Sequence, residues 1–315
     1  MQIAAHPWIL ASGIALAGAG VVAVMPDLPS LPGIHADPVA LTAVDDPLTA
    51  FEDVLQTAST NATDLYDNFA AAPFPALQQF AENLIGYADN YPADASTIPT
   101  DITAHINAVE SLLDPSANGL LYDALSGTPD FQALYQFAES PLSGVALGEA
   151  EMILNPLLAL NDSYQNIVTD LGGATPDTTA AFNELLDIPA NILDATLNGQ
   201  FLDGTTPEID LSSLVTELGV APYYSVGGPE LLLGGLLSPD GGSFLDALAY
   251  SVSYFPPCSD NVCFGEEQIG QGAQVGLLGA LETLSQDVAE ALGWSGPGNP
   301  FDAAADLSAA AGGLF

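Results

Sequence analysis

The sequence predicts a mainly α protein, an amphipathic helical bundle with an irregular Gly/Pro-rich section in its C-terminal half. Three observations lead there. Several stretches repeat apolar residues every three or four positions, the period of one helix face. Proline and paired glycines fall mainly where those stretches begin and end, as helix start and stop signals do. From Asp203 to Phe264, glycines recur every few residues between short apolar runs, which is the signature of turns.

The first helix is marked by Leu48, Phe51, Leu55, Ala58, Ala62, Leu65 and Phe69, an apolar stripe with Glu52, Asp53, Asn61, Asp64 and Asp67 on the other face. Asp46-Pro47 starts it and Pro73 stops it. A second helix spans Pro75 to Tyr91 through Leu77, Phe80, Leu84 and Tyr87. A third spans Asp101 to Leu113 through Ile102, Ile106, Val109 and Leu113. Short helical pieces follow at Leu120–Leu125 and Phe131–Glu139. Ser143 to Leu171 is long and apolar, and Asn155-Pro156 is expected to break or kink it, because proline lacks the N–H and clashes with the preceding turn. Pro176 opens a further helix that Asn198-Gly199 closes. Asp203 to Gly242 reads as loops, single helical turns or short strands. Ser243 to Tyr254 alternates weakly, and a last helix runs from Gln274 to Leu292.

Charge is the strongest compositional feature. The 315 residues hold 40 Asp+Glu and no Lys or Arg, for a formal net charge of −40. The acids are ordinary in number; the bases are missing. Without Lys or Arg the chain cannot neutralise phosphates, so nucleic acid is excluded as a partner. A polybasic grip on anionic lipid, a P-loop lysine, a Schiff-base lysine and an arginine finger are excluded with it. At 49% hydrophobic residues the chain is too apolar for charge-driven disorder. Small cations are the partners such a surface attracts.

Four regions are expected: residues 1–36 as signal peptide and processing segment, 37–202 as the helical region, 203–264 as the Gly-rich region, and 265–315 as the C-terminal helix and tail. Trp8–Met25 is uncharged, apolar and rich in small residues, as the core of an export signal is. Cleavage would follow Ala23 or Ala36. The other reading of the stretch is a retained membrane anchor. Cys258 and Cys263 flank a turn-forming Ser-Asp-Asn, and an even cysteine count in an exported chain points to a short-loop disulfide between them. Half a metal site is the rival reading, with no second Cys pair or nearby His to complete it.

Catalytic motifs are scarce. Beyond the leader only His105 remains as an imidazole, no G-x-S-x-G elbow accompanies it, and a structural role on its helix is expected. Asp114-Pro-Ser-Ala-Asn-Gly119 imitates the opening of an EF-hand loop, but Leu125 stands where the bidentate Glu belongs, so a helix–helix junction is expected. The terminal Leu314-Phe315 imitates the end of an outer-membrane barrel, and the preceding Ala303–Gly313 lacks strand alternation. No catalytic, cofactor-binding or metal residue is nominated, and an enzyme is not expected.

Several segments carry a family likeness. His6–Val24, the Asp46-Pro47-Leu48 helix start with Ala58-Ser-Thr-Asn-Ala-Thr63, and Ala72-Pro-Phe-Pro-Ala-Leu-Gln-Gln79 resemble the GjpA-type outer-membrane porins of mycolic-acid-bearing actinobacteria. Asp187-Ile-Pro-Ala-Asn-Ile-Leu-Asp-Ala-Thr-Leu-Asn-Gly199 and Gly234-Gly-Leu-Leu-Ser-Pro-Asp-Gly-Gly242 are similar to segments of the same family. The resemblance implies export to the cell wall or mycolate outer membrane, and a porin-like role with outer-membrane lipid and further copies of the chain as partners. The sequence departs from the family in having no early basic residue in the signal region. A cation-selective channel is one expectation; an exported soluble structural or cation-binding envelope protein is the other.

Overall fold

The computed structural model describes residues 47–125, 129–255, 265–296 and 298–301. The leader with both cleavage positions, the Cys258/Cys263 pair and the Leu314-Phe315 terminus lie outside the described residues.

The chain is mainly helical, as its periodicity predicts. In order run α1 (Pro47–Ala71), α2 (Pro75–Asp89), α3 (Ile98–Leu113), α4 (Leu120–Leu125), α5 (Pro129–Glu139), α6 (Pro141–Gly172) and α7 (Thr178–Asn198). Then come β1 (Glu208–Asp210), α8 (Ser212–Leu218), β2 (Tyr224–Leu232), β3 (Leu248–Tyr254), β4 (Glu266–Gln271) and α9 (Leu277–Ala291). The helix ends follow their local chemistry. Asp177 caps α7 by accepting the N–H groups of Thr179 and Ala180, and Gly199 closes it at φ 67°, a conformation in which glycine carries no Cβ penalty.

Two expectations are sharpened and a third is corrected. The short strands that the Gly-rich section allows, β1, β2 and β3, belong to an antiparallel sheet of order β1-β2-β3-β4, which continues into the C-terminal region through β4. Its glycines mark a bulge between Gly227 and Glu230 and close backbone approaches, which obscured the strand signal. Second, of the break or kink expected at Asn155-Pro156 the break does not occur: α6 runs continuously through Pro156, and α7 likewise contains Pro189. Third, the apolar stripes predicted for burial often face outward. In α1 the buried line is Val54, Ala58 and Leu65, whereas Leu55 is exposed; in α2, Leu77, Phe80 and Leu84 are exposed and Gln79 is buried.

The core forms where one sheet face meets α4, α5 and α6. Leu231, Leu248 and Val252 of the sheet pack with Leu121, Leu125, Phe131, Tyr135, Leu147 and Leu154. Tyr122, Phe131 and Tyr135 form an aromatic cluster with ring centroids 5.2 to 6.2 Å apart. Residues from 37–202 and 203–264 therefore share one core. The outer strand β4 carries Glu266 and Glu267 at its exposed start, charges that disfavour edge-to-edge pairing.

Candidate functional site

Two polar sites stand out, one buried and one open. The buried site is built on α6 and α7. The inward line of α6 runs Gly144, Gly148, Glu151, Asn155, Ala159, Ser163, a helical repeat of small or polar residues. The inward line of α7 contains Ala190, Asn191, Asp194, Ala195 and Asn198. Small residues let the neighbouring backbone approach closely: a Cβ on Gly148 would lie 2.6 Å from the Leu277 Cα. Amide side chains then stitch the elements together. Asn155 Nδ2 donates to the carbonyls of Ala195 and Gly234. Asn191 Nδ2 donates to Ser163 Oγ at 3.0 Å, and its Oδ1 accepts from Leu202 N–H. Asn198 Nδ2 donates to the Val54 carbonyl and to Asp194 Oδ1, tying α1 to α7.

Glu151 lies at the centre of this seam and is fully buried. Its Oε1 accepts the Gly234 N–H at 3.1 Å. Burial pushes its pKa up to about 9, and the Gly234 hydrogen bond offsets only part of that. With no Lys or Arg in the whole sequence to pair with it, the carboxyl keeps its proton at neutral pH. Burial also raises Asp194, against the opposing hydrogen bond from Asn198. At neutral pH Glu151 therefore sits in the seam as an uncharged carboxyl. The acids expected on outward helix faces include these that point inward. Sequence reasoning missed Glu151, Asn155, Asn191, Asp194 and Asn198, although their three- and four-residue spacing within apolar runs was a usable signal.

The open site is a cleft of about 400 Å³ between α2, the 90–97 turn and α3, lined by Glu82, Tyr87, Asp94, Asp101 and His105 among others. His105 is half-buried, in the structural setting expected for it. Its Nδ1 lies 3.1 Å from the Tyr87 hydroxyl and 3.4 Å from Asn83 Nδ2. Burial and then the Asp101 charge raise the Tyr87 pKa, which keeps the phenol protonated. The Tyr87 hydroxyl fits either imidazole tautomer, whereas the Asn83 amide nitrogen matches an accepting Nδ1. Asn83 also donates to the Leu292 carbonyl at 2.8 Å and accepts from Gln79, linking the cleft floor to the end of α9. The cleft also presents the carboxylates of Glu82, Asp94 and Asp101.

The Asp114–Gly119 segment forms the junction between α3 and α4, where Leu120 N–H donates to Gln268 Oε1 and Tyr135 donates to the Asn118 carbonyl. Among the described residues no group of three or more His, Cys, Asp or Glu is placed to hold a metal ion. Among them, too, no helix is long and apolar enough to cross a membrane. The chain matches no family model, no curated protein and no solved structure.

Proposed function

We propose that the protein is an exported acidic protein of the cell envelope, of the kind represented by the GjpA-type porins, whose surface collects small cations. The observation that carries this reading is the 40 acids beside no Lys or Arg. Carboxylates such as Glu82, Asp94 and Asp101, which share one open cleft, have no Lys or Arg in the chain to pair with. Equilibrium dialysis of the purified chain against calcium at low ionic strength tests the binding. Several weakly held ions per chain are expected, displaced by sodium; no bound calcium would refute it. Export is tested by fractionation and by alkylation. The chain belongs in the cell-wall or outer-membrane fraction, with Cys258 and Cys263 reacting only after reduction. No catalytic role is assigned.

A cation-selective channel is the second reading, and one observation favours it. Beside the core residues Leu147 and Leu154, α6 and α7 place small and polar residues inward, while Ile153, Leu157, Leu160, Phe182 and Leu185 face outward. That polarity suits a protein surrounded by an apolar phase. Planar-bilayer recordings separate the two readings: cation-selective steps establish the channel, and their absence, or anion selectivity, removes it.

A further inference from the structure

The outer face of α6 carries a pattern that neither the buried seam nor the cleft uses. Ile153, Leu157, Leu160, Tyr164, Ile167 and Leu171 follow one another at spacings of four, three, four, three and four, the a/d repeat of a coiled coil. In the fold this repeat points away from the core. Ile153 is 69% exposed, and Leu157, Leu160, Tyr164 and Leu171 are each 39 to 46% exposed. An a/d seam of period 3.5 fits another helix of the same pitch better than it fits a flat surface. Between Glu149 and Asp170 that face of the helix carries no carboxylate, so two highly acidic chains can meet along it without opposing charges. The exposed parts of these side chains, with Val168 beside them, come to roughly 500 Å² per chain, so two copies would bury about 1,000 Å², the least that a specific interface needs.

We propose that α6 is a homodimerisation helix, with the Ile153–Leu171 seam of one chain packed against that of a second copy. The test is sedimentation equilibrium of the full chain in about 0.5 M NaCl, which screens the repulsion between copies. The wild type is expected to dimerise at micromolar concentration. Leu157→Gln with Leu160→Gln, which leaves net charge unchanged, should weaken dimerisation at least tenfold while the melting curve stays in place. Leu77→Gln with Leu84→Gln, on the exposed face of α2, serves as control and should dimerise as the wild type does. If the double α6 variant melts differently, Ile153→Gln at the most exposed seam position replaces it. A monomeric wild type, a dissociation constant unchanged in the α6 variants, or equal loss in the α2 control would each overturn the proposal. So would a monomer that binds phosphatidylcholine vesicles through this seam, since the face would then be covered by lipid.

Discussion

The backbone N–H of Gly234 donates to Oε1 of Glu151 at 3.1 Å, in the interior of a protein that has no Lys or Arg to offer that carboxyl. The same glycine's carbonyl accepts from Asn155, one helical turn along α6. One residue of the Gly-rich segment thus joins both hydrogen-bonding groups of its backbone to the polar line of a helix. That hydrogen bond favours the ionised carboxyl, and burial outweighs it.

Stability is therefore expected to fall as pH rises. An unfolded glutamate ionises near 4.5, whereas Glu151 in the fold keeps its proton up to about 9. Between those values the folded chain binds one more proton than the unfolded chain, which costs about 1.4 kcal/mol per pH unit. Below and above that window the contribution is flat. Asp194, Asp162 and Asp287, all raised chiefly by burial, add the same sign. Denaturant unfolding from pH 5 to 9 should show the decline, and Glu151→Gln should flatten much of it. An unchanged slope in that variant would exclude Glu151 as the source.

Close backbone approach makes two glycines of α6 irreplaceable. A Cβ at Gly144 would meet the Gly242 carbonyl oxygen at 1.8 Å, and one at Gly148 the Leu277 Cα at 2.6 Å. Either Gly→Ala change should cost about 1–3 kcal/mol or more, since backbone has to move. Gly86 of α2 has nothing within 4 Å of the same position. There Gly86→Ala should stabilise by about 0.5–1 kcal/mol through helix propensity. Paired urea titrations check the opposite signs.

Asn83 connects Gln79, His105 and the Leu292 carbonyl in the cleft floor. Asn83→Ala should lower stability by about 1–2 kcal/mol, the usual effect of leaving partly buried partners unmatched. Tyr87→Phe removes the hydroxyl that lies 3.1 Å from His105 Nδ1 and should cost less. Long-range nitrogen NMR of the imidazole reads the consequence directly. The wild type should show the Nε2–H form, and a ring proton found on Nδ1 instead would contradict the assigned network.

Salt should raise the melting temperature. The folded chain gathers a net charge of −40 with no compensating side chain, so screening favours the compact state. Several degrees are expected between about 0.05 and 0.5 M NaCl, because the repulsion acts over about a Debye length. Calcium at matched ionic strength should raise it further where carboxylates cluster. A melting temperature indifferent to both would mean that the acids are too dispersed to matter.

Much of the fold is legible in the residues. Each α-helix predicted from periodicity between Pro47 and Leu292 is present, with Asp177 and Gly199 bounding α7 by ordinary capping chemistry. The sheet was less so. β2 and β3 pair with a bulge and meet close packing partners through glycines, so their alternation is interrupted where it would have been read. The cleft was legible only as a lone His105 with nothing to rank it, because Asn83, Tyr87 and Leu292 reach it from other elements.

The sequence by itself determined where the helices lie, what they cannot bind, and that no Lys or Arg balances the 40 acids. It did not determine which side of each helix faces in. Periodicity locates a stripe, and hydrophobicity normally selects it for burial. In α6 and α7 the opposite line is buried, since Gly, Ala and Asn there allow close approach and satisfy one another, and Glu151 is rendered neutral by burial itself. Those hydrogen bonds join residues 40 and 79 positions apart, as Asn155 does with Ala195 and Gly234. Only the assembled tertiary structure brings such partners together.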